Sequence, residues 1–249
     1  WMDVQRKNAG LSTLSELDSA PFKAKIHMAG EYASPLIYAC SLADFLSIDR
    51  NKYEIVAITG NSMGWYIALG LGGAMTHENA YHLIHTMGAM MKNGIIGGQI
   101  IYPIVDENWQ VDEAKKEMVL SDIEKAGAHV SIFLGGYLVI GGKQESLDIL
   151  LQNLPKEDKY PIQLPFHGAF HTPLLDSLSN QAKGILSELI FQKPTIPLVD
   201  GVGNIWSPYS TDISELYRYT LGHQVTKTYD FSTAVKVAMK ENGPDNLVL

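Results

Sequence analysis

The chain has 249 residues, 46% hydrophobic and 18% charged, a balance that suits a packed globular protein and argues against disorder. A formal charge of -8 with no Lys/Arg block argues against a nucleic-acid partner; no run approaches the roughly 18 apolar residues of a membrane helix, and no signal peptide is visible. The single cysteine, Cys40, excludes an internal disulfide and fits a reducing, cytoplasmic compartment.

Both ends read as truncated, since the chain opens on Trp1 and stops at Leu249 directly after an apolar run. Residues 1–30 show no clear period. Apolar residues at helical spacing predict a helix over 34–46, and Cys40 on it reads as a core thiol. The β-branched run 54–59 predicts a buried strand. It leads through Gly60-Asn-Ser-Met-Gly into a helical stretch from Trp65. Another helix is predicted over 78–92, followed by a glycine-bearing loop over 93–99. The pattern then changes to a strand over 99–105, a helix over 111–126, a hairpin over 130–140, a helix over 146–154 and a strand over 160–164. That β-α-β-β-α-β order is a ferredoxin-like signature. The helical period returns over 172–190, a strand follows over 197–200, helices over 214–221 and 232–239, and a last strand begins at Asn246. The expected architecture is therefore α/β. A large subdomain (1–98 and 165–249) would resemble the α/β-hydrolases, with a parallel sheet, and a small ferredoxin-like subdomain (99–164) would be inserted into it.

Gly60-Asn-Ser-Met-Gly has the Gly-x-Ser-x-Gly spacing of a nucleophile elbow, lying between a predicted strand and a predicted helix. The serine there sits on a sharp turn, and the glycines two before and two after relieve the crowding. The helix that follows aims its N-terminus at Ser62, and the Met63 N–H can donate to a developing oxyanion. A serine needs a base. Of the eight histidines, His167 and His171 stand out, in Pro165-Phe-His-Gly-Ala-Phe-His-Thr-Pro173. Their spacing of four would suit a metal pair on a helix, but the two prolines and Gly168 oppose a helix and no Glu completes a His-Glu-x-x-His pattern, so no metal site is expected.

The elbow at Ser62, the ferredoxin-like order and the downstream Gly168-Ala-Phe-His-Thr-Pro-Leu-Leu occur in the order of a known family. The chain resembles the malonyl-CoA:acyl carrier protein transacylases and the acyltransferase domains of polyketide synthases, over residues of roughly 35–249. The resemblance implies Ser62 as nucleophile and His171 as general base. It implies ping-pong transfer from an acyl-CoA donor to the phosphopantetheine of an acyl carrier protein, with no bound cofactor and no metal. It implies a carbonyl orienting the histidine, from the first residue of a Gln-Leu-x-x-Pro-Val segment, and the matching stretch 220–225 points to Thr220. The chain would stand alone or form part of a larger synthase, without a nucleic-acid or membrane partner. Four departures bear on substrate and rate. Asn61 stands where the family has His, and Trp65 where it has Glu. The Gly-Gln-Gly segment that supplies a second oxyanion N–H is not found. Met87 stands where malonyl-type members carry a carboxylate-binding Arg. Met87, Asn61, Trp65 and Phe170 are accordingly the candidate substrate-binding residues, and Met87 points to an uncharged acyl group where the family label says malonyl. An acyl-carrier hydrolase using the same dyad, and a docking domain of a synthase without catalysis, are the alternatives.

Overall fold

The computed structural model describes residues 1–91 and 94–248. In chain order these form α1 (Met2–Asn8), α2 (Leu14–Ser19), α3 (Ala24–His27), α4 (Gly30–Ser47), β1 (Ile58–Thr59), α5 (Met63–Leu71), α6 (His77–Met90), β2 (Gly98–Pro103), α7 (Glu113–Lys125), β3 (His129–Leu134), β4 (Tyr137–Gly142), α8 (Gln144–Asn153) and β5 (Ile162–Gln163). Then come α9 (Asp176–Ile185), β6 (Leu198–Val199), β7 (Ile205–Trp206), α10 (Ile213–Arg218), a π-helical turn (Tyr219–His223), α11 (Gln224–Thr226), β8 (Tyr229–Asp230) and α12 (Phe231–Asn242).

The α/β expectation holds, with a smaller parallel sheet than the sequence suggests. One sheet has the order β1-β6-β7; β1 and β6 pair parallel through Ile58–Leu198 and Thr59–Val199, and β7 closes it antiparallel. The apolar run 54–59 contributes only its last two residues to that ladder. The second sheet has the order β5-β2-β4-β3-β8. Its first four strands are antiparallel neighbours, and β8 joins the edge of β3 in parallel. The strand expected from Asn246 is absent from residues 246–248, and Leu249 lies outside the described residues. So do Lys92, at the end of the helix predicted over 78–92, and Asn93, at the start of the loop.

Two apolar clusters hold these layers. The larger gathers α4, α5 and α6 with β6, α9, α10 and β8, and also takes Ile132 from β3 and Val139 from β4. The smaller is built entirely from residues 100–160, where α7 and α8 cover one face of the antiparallel sheet. Each large aliphatic side chain buried in them contributes about 1.5–3 kcal/mol relative to exposure. Cys40 is exposed and not a core thiol, because the buried face of α4 runs through Pro35 and Tyr38.

The first 30 residues, without a legible period, form three short helices. Arg6 of α1 is fully buried there. Its Nε donates to the Ser12 carbonyl at 2.5 Å and its Nη1 to the Glu31 carbonyl at 3.4 Å, with the guanidinium 5.8 Å over the Tyr32 ring. Pro35, inside α4, has no N–H for the Glu31 carbonyl one turn back, so Arg6 supplies a donor that the helix cannot. No described helix is long and apolar enough to cross a membrane.

Candidate active site

β1 ends in the elbow that carries Ser62. Ser62 has φ 54° and ψ −113°, outside the regions that L-residues prefer, and it caps the N-terminus of α5. The turn is held from both sides. Tyr229 Oη donates to the Gly60 carbonyl at 2.6 Å, and Gly64 N–H donates to the Asn61 carbonyl at 2.7 Å. The Ser62 carbonyl accepts from Trp65 N–H and from Gln224 Nε2, both at 3.0 Å. The two glycines of the pattern are not equivalent. A Cβ on Gly60 would stand 2.2 Å from the Gly64 carbonyl oxygen, whereas one on Gly64 would meet nothing within 4 Å. Only Gly60 is required for space; Gly64 matters as the backbone that Gly60 lies against. Met63 is the first residue of α5, so its N–H has no partner one turn back in the helix and lies at the positive end of the helix dipole.

His171 comes to this elbow from the loop after β5. Its Nε2 lies 2.8 Å from Ser62 Oγ. The carbonyl that faces its Nδ1, at 2.5 Å, belongs to Gln224 and not to Thr220. The expectation of Thr220 placed the segment four residues early, on the π-helical turn Tyr219–His223 that precedes it. Thr220 instead uses its hydroxyl to accept a hydrogen bond from Trp65 Nε1 at 3.1 Å. His171 is 1% exposed, and burial pushes its imidazole down to about 4, partly opposed by the hydrogen bond to Gln224. It is therefore neutral near pH 7, with Nδ1–H donating to Gln224 and the Nε2 lone pair turned to Ser62. No carboxylate is needed to fix that tautomer. The fully buried acid Asp200 accepts from Val202 N–H, Asn204 N–H, Asn204 Nδ2 and Trp206 Nε1, and His171 is not among its partners.

The loop itself is clamped by the second sheet. Ser131 Oγ of β3 donates to the Phe170 carbonyl at 2.8 Å. Gln99 of β2 donates to Ser131 Oγ at 2.7 Å and accepts from His167 Nδ1 at 2.9 Å. His171 N–H donates to the Val225 carbonyl, and Thr172 Oγ1 to the Ala169 carbonyl. His171, like Ser62, has a positive φ, 59°. His167 is thus a support of the loop and does not reach Ser62.

Two of the four expected substrate-binding residues, Trp65 and Met87, are packed in the apolar core. Trp65 is fully buried, edge-on to Tyr219 at 5.3 Å, and has no surface to offer a ligand. Its indole fills core volume that a shorter acidic side chain would leave empty and charged. Met87 is 4% exposed and packs in the same core. Phe170 is half-buried beside the base, with its ring 6.3 Å from the imidazole. Asn61, next to the nucleophile, keeps a buried Oδ1 with no protein partner. Sequence reasoning missed Gln224, Tyr66, Tyr229, Gln99 and Ser131, whose roles depend on hydrogen bonds across long chain separations. Among the described residues, no group of three or more His, Cys, Asp or Glu side chains is gathered that could hold a metal ion.

No family profile matches the chain. Among curated proteins it is similar to the mycoketide-CoA synthase of Mycobacterium tuberculosis, 23% identical over 172 residues that cover 69% of this chain and 4% of that protein. It is also similar to the malonyl CoA-acyl carrier protein transacylase of Bacillus subtilis, 22% identical over 188 residues, 74% of this chain and 58% of that protein. The chain thus spans a small part of the synthases and little more than half of the separate transacylase. Among solved structures, the malonyl-CoA:ACP transacylase of Synechocystis sp. PCC 6803 superposes with a TM-score of 0.78 at 17% identity, covering 96% of this chain and 77% of that one. These relatives and neighbours are malonyl-CoA:acyl carrier protein transacylases and polyketide synthases with their acyltransferase domains, and the fold is shared with them.

Proposed function

We propose that the chain is an acyltransferase that moves an acyl group from coenzyme A to the phosphopantetheine thiol of an acyl carrier protein through an acyl-Ser62 intermediate. The observation that carries this reading is the 2.8 Å contact between Ser62 Oγ and a neutral His171 Nε2 whose other nitrogen is committed to the Gln224 carbonyl. His171 Nε2 takes the hydroxyl proton as Oγ attacks the thioester carbonyl carbon. The oxyanion forms in front of the Met63 N–H and the N-terminus of α5. The C–S bond breaks, His171 returns the proton to the departing thiolate, and a second thiol reverses the sequence with the carrier as acceptor. The relatives' names supply the donor and acceptor classes.

The acyl group in this proposal is uncharged, acetyl or longer. A free carboxylate needs a bidentate or at least cationic partner when desolvated. Met87 puts a packed thioether where the resemblance puts a guanidinium. The experiment is a panel of acyl-CoAs read by intact mass, followed by a carrier protein bearing phosphopantetheine or by water alone. An acyl-enzyme discharged by the carrier thiol is the expected result. An acyl-enzyme discharged as fast by water would make the chain a hydrolase, and no adduct with any donor would remove catalysis altogether.

A further inference from the structure

The side chain of Gln224 performs a second task beside its carbonyl. Gln224 is 2% exposed. Its carbonyl takes the His171 Nδ1–H, and its own amide bonds on both sides: Nε2 donates to the Ser62 carbonyl at 3.0 Å, and Oε1 accepts from Tyr66 Oη at 2.8 Å. Tyr66 sits on α5, one turn after the nucleophile, and burial raises its hydroxyl well above the ordinary range, so it remains a donor. That donor fixes which end of the amide faces Ser62. One residue therefore touches both halves of the dyad, the histidine through its backbone and the serine through its side chain.

We propose that the Gln224 side chain is a positioning residue that sets the separation of Ser62 and His171, by tying the strained Ser62 peptide to the segment that orients the imidazole. The inference rests on the acyl-transfer reading of Ser62. Ser62 holds a φ of 54°, and such conformations persist only where surrounding contacts over-determine them. The amide supplies one of the two hydrogen bonds at the Ser62 carbonyl. Without it the elbow is free to relax while the histidine stays with the Gln224 carbonyl, and the distance between Oγ and Nε2 is no longer held.

The test uses the intact chain and an alkyl fluorophosphonate, whose phosphorus the Ser62 oxygen attacks with loss of fluoride and whose reaction does not depend on which acyl group is natural. The rate is read by intact mass, beside a melting curve, for Gln224→Leu, Gln224→Glu and Tyr66→Phe. Gln224→Leu is expected to slow phosphonylation about tenfold to hundredfold, and Tyr66→Phe by a smaller factor. The titratable groups hydrogen-bonded to Gln224 are Tyr66 and His171. Gln224→Glu is the discriminating variant. A protonated carboxyl can donate to the Ser62 carbonyl as the amide does, and an ionised one cannot. Its rate should therefore fall as pH rises, where the unmodified chain, limited by protonation of His171, rises and then levels. Lower melting points in the variants with unchanged rates and an unchanged pH profile would overturn the inference alone. An unmodified chain that does not react would overturn the acyl-transfer reading and the inference with it. If Gln224→Leu fails to fold, the Gln224→Glu profile decides.

Discussion

Replacing Gly60 by Ala should damage the elbow far more than replacing Gly64 by Ala, although the Gly-x-Ser-x-Gly spacing treats the two alike. The added methyl at position 60 would lie 2.2, 2.3 and 2.8 Å from the carbonyl oxygen, carbonyl carbon and Cα of Gly64. All three are backbone atoms, so no rotamer change relieves the clash, and the end of β1 and the start of α5 must move apart. Overpacking of this kind costs about 1–3 kcal/mol, and a rigid obstacle argues for the upper end. In a chain of this size each kcal/mol shifts the melting temperature by about 2–4 °C, giving a loss of about 6–12 °C. A displacement near 1 Å between Ser62 and His171 should also slow acylation by about a hundredfold. Gly64→Ala meets open space and removes a helical glycine, a gain of about 0.5–1 kcal/mol. The assay is a pair of melting curves with the acylation rate measured on the same samples. A Gly60→Ala protein that melts and reacts like the unmodified one, or a Gly64→Ala protein that is the less stable of the two, would refute this account of the turn.

Other outcomes follow from the same contacts. Acylation should rise with pH through about 4, the value to which burial pushes His171, and stay flat to at least neutrality; a midpoint near the ordinary histidine value of about 6.5 would show that the base is not buried as described. Because the folded value is depressed, His171 stabilises the native state fully above about 6.5, and that contribution is lost as pH falls towards 4, which acid melting curves can follow. His171→Ala should lower acylation by about two orders of magnitude or more, whereas His167→Ala, which removes only a support of Gln99, should be much milder; the reverse ranking would mean the base is misassigned. Met87→Arg should raise malonyl transfer relative to acetyl, and tenfold requires only about 1.4 kcal/mol. It should also lower the melting point, since the side chain replaced is 4% exposed in the core. A tenfold preference of the unmodified chain for malonyl-CoA would show that another cation holds the carboxylate.

What the sequence disclosed were the features that short stretches of chain must encode. A strand-to-helix turn with a serine at a positive φ requires Gly60, and the Pro165–Pro173 segment writes the base beside the two prolines and the glycine that bend its loop. Within the β2–β5 unit, β2, β3 and β4 were legible because each is six residues long, enough to alternate, and α7 and α8 because each is long enough to repeat; β5 is only two residues. β1 and β6 are two residues each, too short for period to mark their ends. The carbonyl that orients His171 belongs to Gln224, the glutamine that opens Gln224-Val-Thr-Lys-Thr-Tyr, and the expectation of Thr220 set the Gln-Leu-x-x-Pro-Val pattern four residues early. Trp65 sits at a position that suggests a pocket, yet it is core, because burial depends on what packs from distant parts of the chain. Arg6 was invisible for a similar reason: its partners are two backbone carbonyls, of Ser12 and of Glu31 beneath Pro35, which no side-chain pattern marks.

The central claim is that Ser62 carries the acyl group, and intact-mass spectrometry after incubation with acyl-CoA tests it most directly. The account predicts an adduct of one acyl mass that maps to Ser62, is absent in Ser62→Ala, and is discharged by a carrier-borne thiol. An adduct that persists in Ser62→Ala, or one that maps to another residue, would contradict it.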